Sequence, residues 1–209
     1  MVQHWIEHRE GESVTEAQAR ALLSSLEAWE RTPEDHRAET PARFVKALKE
    51  LTTREDFKFT TFPATSRDMV TLAPIPFYTL CAHHVVPFYG HAYISYVPNA
   101  KLAGLSKFAR MVKWAAKGFW VQEELTAFIA DELTAKLNTA PNTQSYAGPS
   151  YAGMPPSGVG VVLKAEHLCM AMRGVAQPGV ITTTAAMRGV YADHTRTAKA
   201  EFLDIVKHG

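Results

Sequence analysis

The stretch MVTLAPIPFYTLCAHHVVPFYGHAYISYV, Met69–Val97, decides the fold. Ile, Val, Phe and Tyr crowd its two ends, residues that suit a pleated, half-buried surface, and a turn around Val86-Pro87 separates them. The reading is an antiparallel pair of strands, Met69–Leu80 and Gly90–Val97. The segment from Met69 to Ala100 is also the longest without Lys, Arg, Asp or Glu. Pro74, Pro76, Pro87, Pro98 and three histidines interrupt it, so it is not a membrane span.

Working outward, residues 14–30 predict an amphipathic helix with Ala19, Leu22, Leu23, Leu26 and Trp29 on one face. A second helix is expected to start at Thr40-Pro41, with Thr40 as N-cap, Pro41 at the first helical position and Phe44, Val45, Leu48 and Leu51 buried. Beyond the strand pair, Lys107–Lys117 predicts a short helix capped by Ser106, and Val121–Leu137 a longer one. Strands are expected at Val159–Met172 and Ile181–Tyr191, then a helix over Thr195–Lys207 burying Phe202, Leu203 and Val206. The order is two helices, ββααββ and a last helix, which argues for α+β: an antiparallel sheet with its helices on one face. Four strands with two open edges favour edge-to-edge assembly into an oligomer. The expected organisation is a single domain over 1–209: a helical region at 1–55, a core at 69–209, and a loop insert at 138–157. The insert repeats Ser-Tyr-Ala-Gly at 145–148 and 150–153, and reads as a surface loop or, more sharply, as a lid.

Composition narrows the function. With 209 residues, 46% hydrophobic and 21% charged, the chain can bury a real core. Twenty-two Lys and Arg against 21 Asp and Glu leave a net charge of +1, so no global field points to nucleic acid or a membrane. The first residues carry neither a basic stretch nor an apolar run of the secretory kind, and a cytoplasmic location is the expectation.

The chemistry concentrates around the chain's two cysteines. Cys81-Ala82-His83-His84 closes the first strand, and His167-Leu168-Cys169 stands 83 positions after His84. Read as strand, His167 and Cys169 share one face, and Arg173 falls on the same face. Two thiols and three imidazoles suit zinc, whose catalytic sites use three protein ligands and keep one position open. The competing readings are inert core cysteines, a closed structural site or a disulfide. Near Ser106-Lys107, a helix N-terminus with Arg110 one turn on suits a phosphate, and Arg43 and Lys46 project together from the second helix. Gln122-Glu123-Glu124 opens the long helix, where a carboxylate ordinarily complements the dipole but could also pair with the donor edge of a guanine.

These residues together resemble the GTP cyclohydrolase I family. The resemblance runs through Glu39-Thr-Pro-Ala-Arg43-Phe-Val-Lys46, Ile75–Gly90, Tyr96-Val-Pro-Asn, Gly104-Leu-Ser-Lys-Phe-Ala-Arg110, Val121-Gln-Glu-Glu-Leu-Thr126, His167-Leu-Cys-Met-Ala-Met-Arg-Gly174 and Thr195–Phe202, in family order. It implies the tunnelling fold, with pentameric rings stacked into a toroidal decamer. The implied reaction is zinc-dependent conversion of GTP to 7,8-dihydroneopterin triphosphate and formate, a first step toward tetrahydrofolate, other pterins or 7-deazaguanines. By the same resemblance Cys81, His84 and Cys169 would hold Zn2+, and His83 and His167 would move protons. Glu123, with Gln122 beside it, would bind the guanine. Ser106, Lys107, Arg110, Arg173, Arg43 and Lys46 would line the triphosphate site. Two positions depart from the family, Ala82 where it has Glu and Glu124 where it has Arg. They leave open a non-catalytic GTP-binding or altered-substrate relative.

Overall fold

The computed structural model describes residues 14–139 and 157–208, and the expected insert falls almost wholly outside them. The chain divides into two compact units, Met1–Thr53 and Arg54–Gly209.

In the first unit, α1 spans Glu16–Ser24 from a capping box in which Thr15 and Gln18 satisfy each other's backbone N–H groups. The helix expected to run to residue 30 stops earlier: the Ser25 hydroxyl donates to Leu22 O at 2.6 Å, and a 3-10 turn follows at Glu27–Arg31. Leu22 and Leu26 are therefore exposed and not part of a buried stripe. The second helix, α2, begins earlier than expected, at Glu34, and runs to Thr52 with Pro41 inside it; the N-cap is Pro33 and not Thr40. Pro41 has no N–H for Arg37 O, and Arg20 of α1 compensates, its guanidinium donating to Arg37 O at 3.5 Å and to Ala38 O at 3.1 Å.

The second unit is built on a mixed α+β plan around a five-stranded sheet in the order β5-β2-β3-β6-β7. Its strands are β2 Val70–Cys81, β3 Pro87–Val97, β5 Phe119–Trp120, β6 Gly158–His167 and β7 Ile181–Gly189; the short β1 Thr61–Pro63 and β4 Lys101–Ala103 pair apart. The four long strands are antiparallel as the sequence predicts. The fifth strand, β5, was not expected: its two residues pair in parallel with Leu80 and Cys81. At the β2–β3 turn Val85 takes φ 56°, an unusual conformation for a β-branched residue.

Helices α3, Leu105–Ala115, and α4, Gln122–Thr139, cover one face. Phe108, Met111, Val112, Leu125, Ile129 and Leu133 are buried there against Ile94, Val161 and Leu163. Gly104, not Ser106, takes the N-cap of α3, so Ser106 sits within the first turn. The last helix, α6 Ala198–His208, corrects the expectation of helices on one face alone. Strand parity sends Tyr93 and Val162 to the side opposite Ile94 and Val161, and there they pack with Tyr191, Phe202 and Val206. Gly160 makes room for this packing, since a Cβ on it would come within 2.9 Å of the Phe202 ring. Asp193 accepts from the Thr195 N–H and hydroxyl and delays the start of α6, and Leu203 is 38% exposed instead of buried. No helix among the described residues is long and apolar enough to cross a membrane.

Candidate metal centre

Three chain segments meet at one end of the sheet, on the side that α3 and α4 cover. Cys81 is the last residue of β2, and the β2–β3 turn carries His83 and His84 directly after it. This turn is tied back to the strand ends: Cys81 N–H donates to Val86 O and Val85 N–H to Cys81 O, both at 2.9 Å. His83 and His84 point their Nδ1 atoms at the Cys81 sulfur, at 3.7 Å and 3.9 Å, and their side chains are exposed.

The second segment corrects the sequence reading. Strand β6 ends at His167, and Leu168–Ala171 forms a single helical turn, α5, so His167, Cys169 and Arg173 do not share the face of one strand. The turn nevertheless brings the Cys169 sulfur to 4.0 Å from that of Cys81. His167 completes the group, and the donor atoms of Cys81, His167 and Cys169 all lie within 4.8 Å of one another. This donor set fits a metal. Burial raises the Cys169 pKa, the adjacent Cys81 thiol raises it further, and Arg173 opposes both. Two thiols so placed resist ionising together, and a cation between them would hold both as thiolates.

The third segment is the start of α4. Gln122 is 2% exposed, and its Oε1 accepts from His167 Nε2 at 2.7 Å. Its Nε2 donates to Thr182 O and Thr184 Oγ1 at 3.0 Å and to Leu163 O at 3.3 Å, so the amide is fully engaged inside the protein. The exposed Glu123 lies within electrostatic reach of His167. Burial lowers the His167 pKa and the Glu123 carboxylate opposes the shift, which leaves the imidazole neutral near neutral pH. The Phe88 ring, directly across the β3–β6 register, stacks on His167 at 4.4 Å between centroids and 8° between planes.

Alignment with known proteins adds the family. The GTP cyclohydrolase I family model matches residues 15–145 and 150–207. The chain belongs to the GTP cyclohydrolase I family. It is 41% identical over 171 residues to a GTP cyclohydrolase 1 of Hydrogenobaculum, covering 81% of this chain and 84% of that one. It is 40% identical over 199 residues to a GTP cyclohydrolase 1 of Mycobacterium avium, covering 91% and 87%. A third, GTP cyclohydrolase 1 of Aquifex aeolicus, is 41% identical over 171 residues, covering 81% and 83%.

Of the cations that the GTP cyclohydrolase I resemblance assigns to a triphosphate, Arg173 is exposed and electrostatically coupled to Cys169. Ser106, Lys107 and Arg110 stand on the first turns of α3, with Ser106 and Arg110 exposed. Arg43 and Lys46 belong to the first unit, where each pairs within α2, Arg43 with Glu39 and Lys46 with Glu50. The two departures from the GTP cyclohydrolase I pattern, Ala82 and Glu124, are both exposed. Sequence reasoning missed Phe88, Thr126 and Thr184, whose parts depend on register and not on any local motif.

Proposed function

We propose that this chain is a catalytically active GTP cyclohydrolase I that uses zinc to convert GTP to 7,8-dihydroneopterin triphosphate and formate. The observation that carries the reading is the convergence of Cys81, Cys169 and His167 beside the start of α4, in a chain of this family. In this reading Cys81, His84 and Cys169 would hold the zinc, which when bound would supply a Lewis acid and an activated water for hydrolysis at purine C8. His167, kept neutral by burial, can take up a proton and deliver it to N7 as C8 is attacked. His83, exposed on the turn, shuttles protons in the later ring opening and ribose rearrangement. Glu123 receives the N1–H and N2–H edge of guanine. Ser106, Lys107, Arg110 and Arg173 receive the triphosphate. The family's tunnelling fold is supported by the antiparallel ββααββ order, and we extend the reading to a decamer of two pentameric rings acting in the cytoplasm.

A second ligand set has its own support, because the mutual distances group Cys81 and Cys169 with His167. The test joins both questions. GTP turnover is followed through formate and the dihydropterin together, with and without a chelator, and zinc is counted in His84→Ser and His167→Ser. The expected result is two products lost on chelation and restored by zinc, with zinc lost in His84→Ser and kept in His167→Ser. Tight GTP binding without either product would leave a non-catalytic relative; zinc lost in His167→Ser would make it a ligand.

A further inference from the structure

Gln122 heads the long helix, where the family resemblance places it beside the carboxylate that would meet the guanine. Its surroundings give it a different task. The side chain is 2% exposed, and every polar atom on it has a partner inside the protein.

Which way the amide faces follows from those partners. Leu163 O and Thr182 O are backbone carbonyls, which only accept, so the atom facing them must be the NH2. Flipping the amide would aim its oxygen at two carbonyl oxygens and forfeit both bonds. The third partner is equally directional. The Thr126 hydroxyl spends its one hydrogen on Gln122 O at 2.7 Å, so across the 2.6 Å contact between the two threonines Thr184 must donate to Thr126. Thr184 Oγ1 is then left to accept from Gln122 Nε2, as its 3.0 Å separation requires. The ring from Gln122 Nε2 through Thr184 and Thr126 back to Gln122 O has one consistent direction, and it fastens the residue to α4, β6 and β7 at once.

With the amide so fixed, Oε1 must face His167, and an oxygen acceptor at 2.7 Å demands a hydrogen on His167 Nε2. Phe88 fixes the ring plane by stacking at 4.4 Å. We propose that Gln122 is a positioning residue that holds the hydrogen on His167 Nε2 and so presents Nδ1 to the reacting centre, and that it is not a contact to the guanine. This rests on the proposed role of His167 as the proton carrier. Thr184 and Thr126 serve the same lock from one layer further out.

The direct test uses the zinc-loaded full chain labelled with 15N at histidine. Solid-state NMR of the wild type minus His167→Ser isolates the His167 signals, and an unprotonated Nδ1 beside a protonated Nε2 is expected. A protonated Nδ1 in the wild type would overturn the assignment, and this readout needs no Gln122 variant to fold. The kinetic test is Gln122→Met, which removes the acceptor. A fall in kcat of about 10–100-fold is expected, the range for losing a group that orients a functional histidine, with KM for GTP within about twofold, zinc retained and the His167 tautomers mixed. A KM raised about tenfold with kcat unchanged would show Gln122 meeting the substrate and would overturn the proposal. Thr184→Val keeps both carbonyl bonds and should give the same pattern more weakly; an altered KM with intact kcat there would also count against the lock. A wild type that releases no formate from GTP would defeat the proposed function while leaving the tautomer readout standing.

Discussion

The histidines on the two sides of the centre are held in opposite ways. His167 ends a central strand, stacks on Phe88, hydrogen-bonds Gln122 and is only partly exposed. His83 and His84 ride an exposed turn whose Val85 adopts φ 56°, and their rings meet each other edge-on at 6.1 Å. In the proposed function this contrast would combine a proton carrier of fixed direction with histidines open to solvent. A buried imidazole in a rigid frame delivers a proton to one atom. An exposed one can follow a substrate that changes shape, and it can exchange its proton with water.

The largest effect that would break this contrast is expected at His167. His167→Ser should lower kcat by about 10³-fold with zinc content unchanged, measured as formate released against metal per chain. A loss no greater than that of His83→Ser would erase the distinction between the two sides. His83→Ser itself should cost about 10²-fold, at the low end for a proton carrier, and should allow ring-opened intermediate to accumulate, read by quenched-flow analysis. The smallest effect sharpens the picture: Phe88→Leu removes the stack on His167 together with the edge contact to Phe77, and should lower turnover a few-fold with about 1–2 kcal/mol lost in thermal unfolding. A Phe88→Leu enzyme with full activity would show that Gln122 alone suffices to orient the ring.

The four long strands, the α3–α4 pair and the two cysteine segments were legible because apolar periodicity and local ligand spacing record them directly. What was not legible depended on partners distant in the chain. Nothing near Pro41 announces that Arg20 will cover the carbonyl left without a donor, so the helix was expected to start at the proline. Two residues, Phe119 and Trp120, carry too little pattern to read as a strand, yet they pair with Cys81. His167-Leu-Cys169 alternates like a strand, but the chain turns helical after His167. Gln122 stands in the polar first turn of a helix, where the resemblance sets it beside the guanine, and only the approach of β6 and β7 buries it. Local patterning announced the donors; the group that aims one of them came from tertiary register.

The separation of the donors along the chain ties the centre to the whole fold. Cys169 lies 88 residues from Cys81, and Gln122 lies 45 from His167, so no single hairpin or helix gathers them. Both loops must close, at an entropic cost that grows slowly with length, before the centre has a shape. Domains rich in such non-local contacts fold more slowly than those built from local ones. A cation at these donors would depend on the whole α+β frame for its site, whereas a zinc finger gathers its ligands within one short segment.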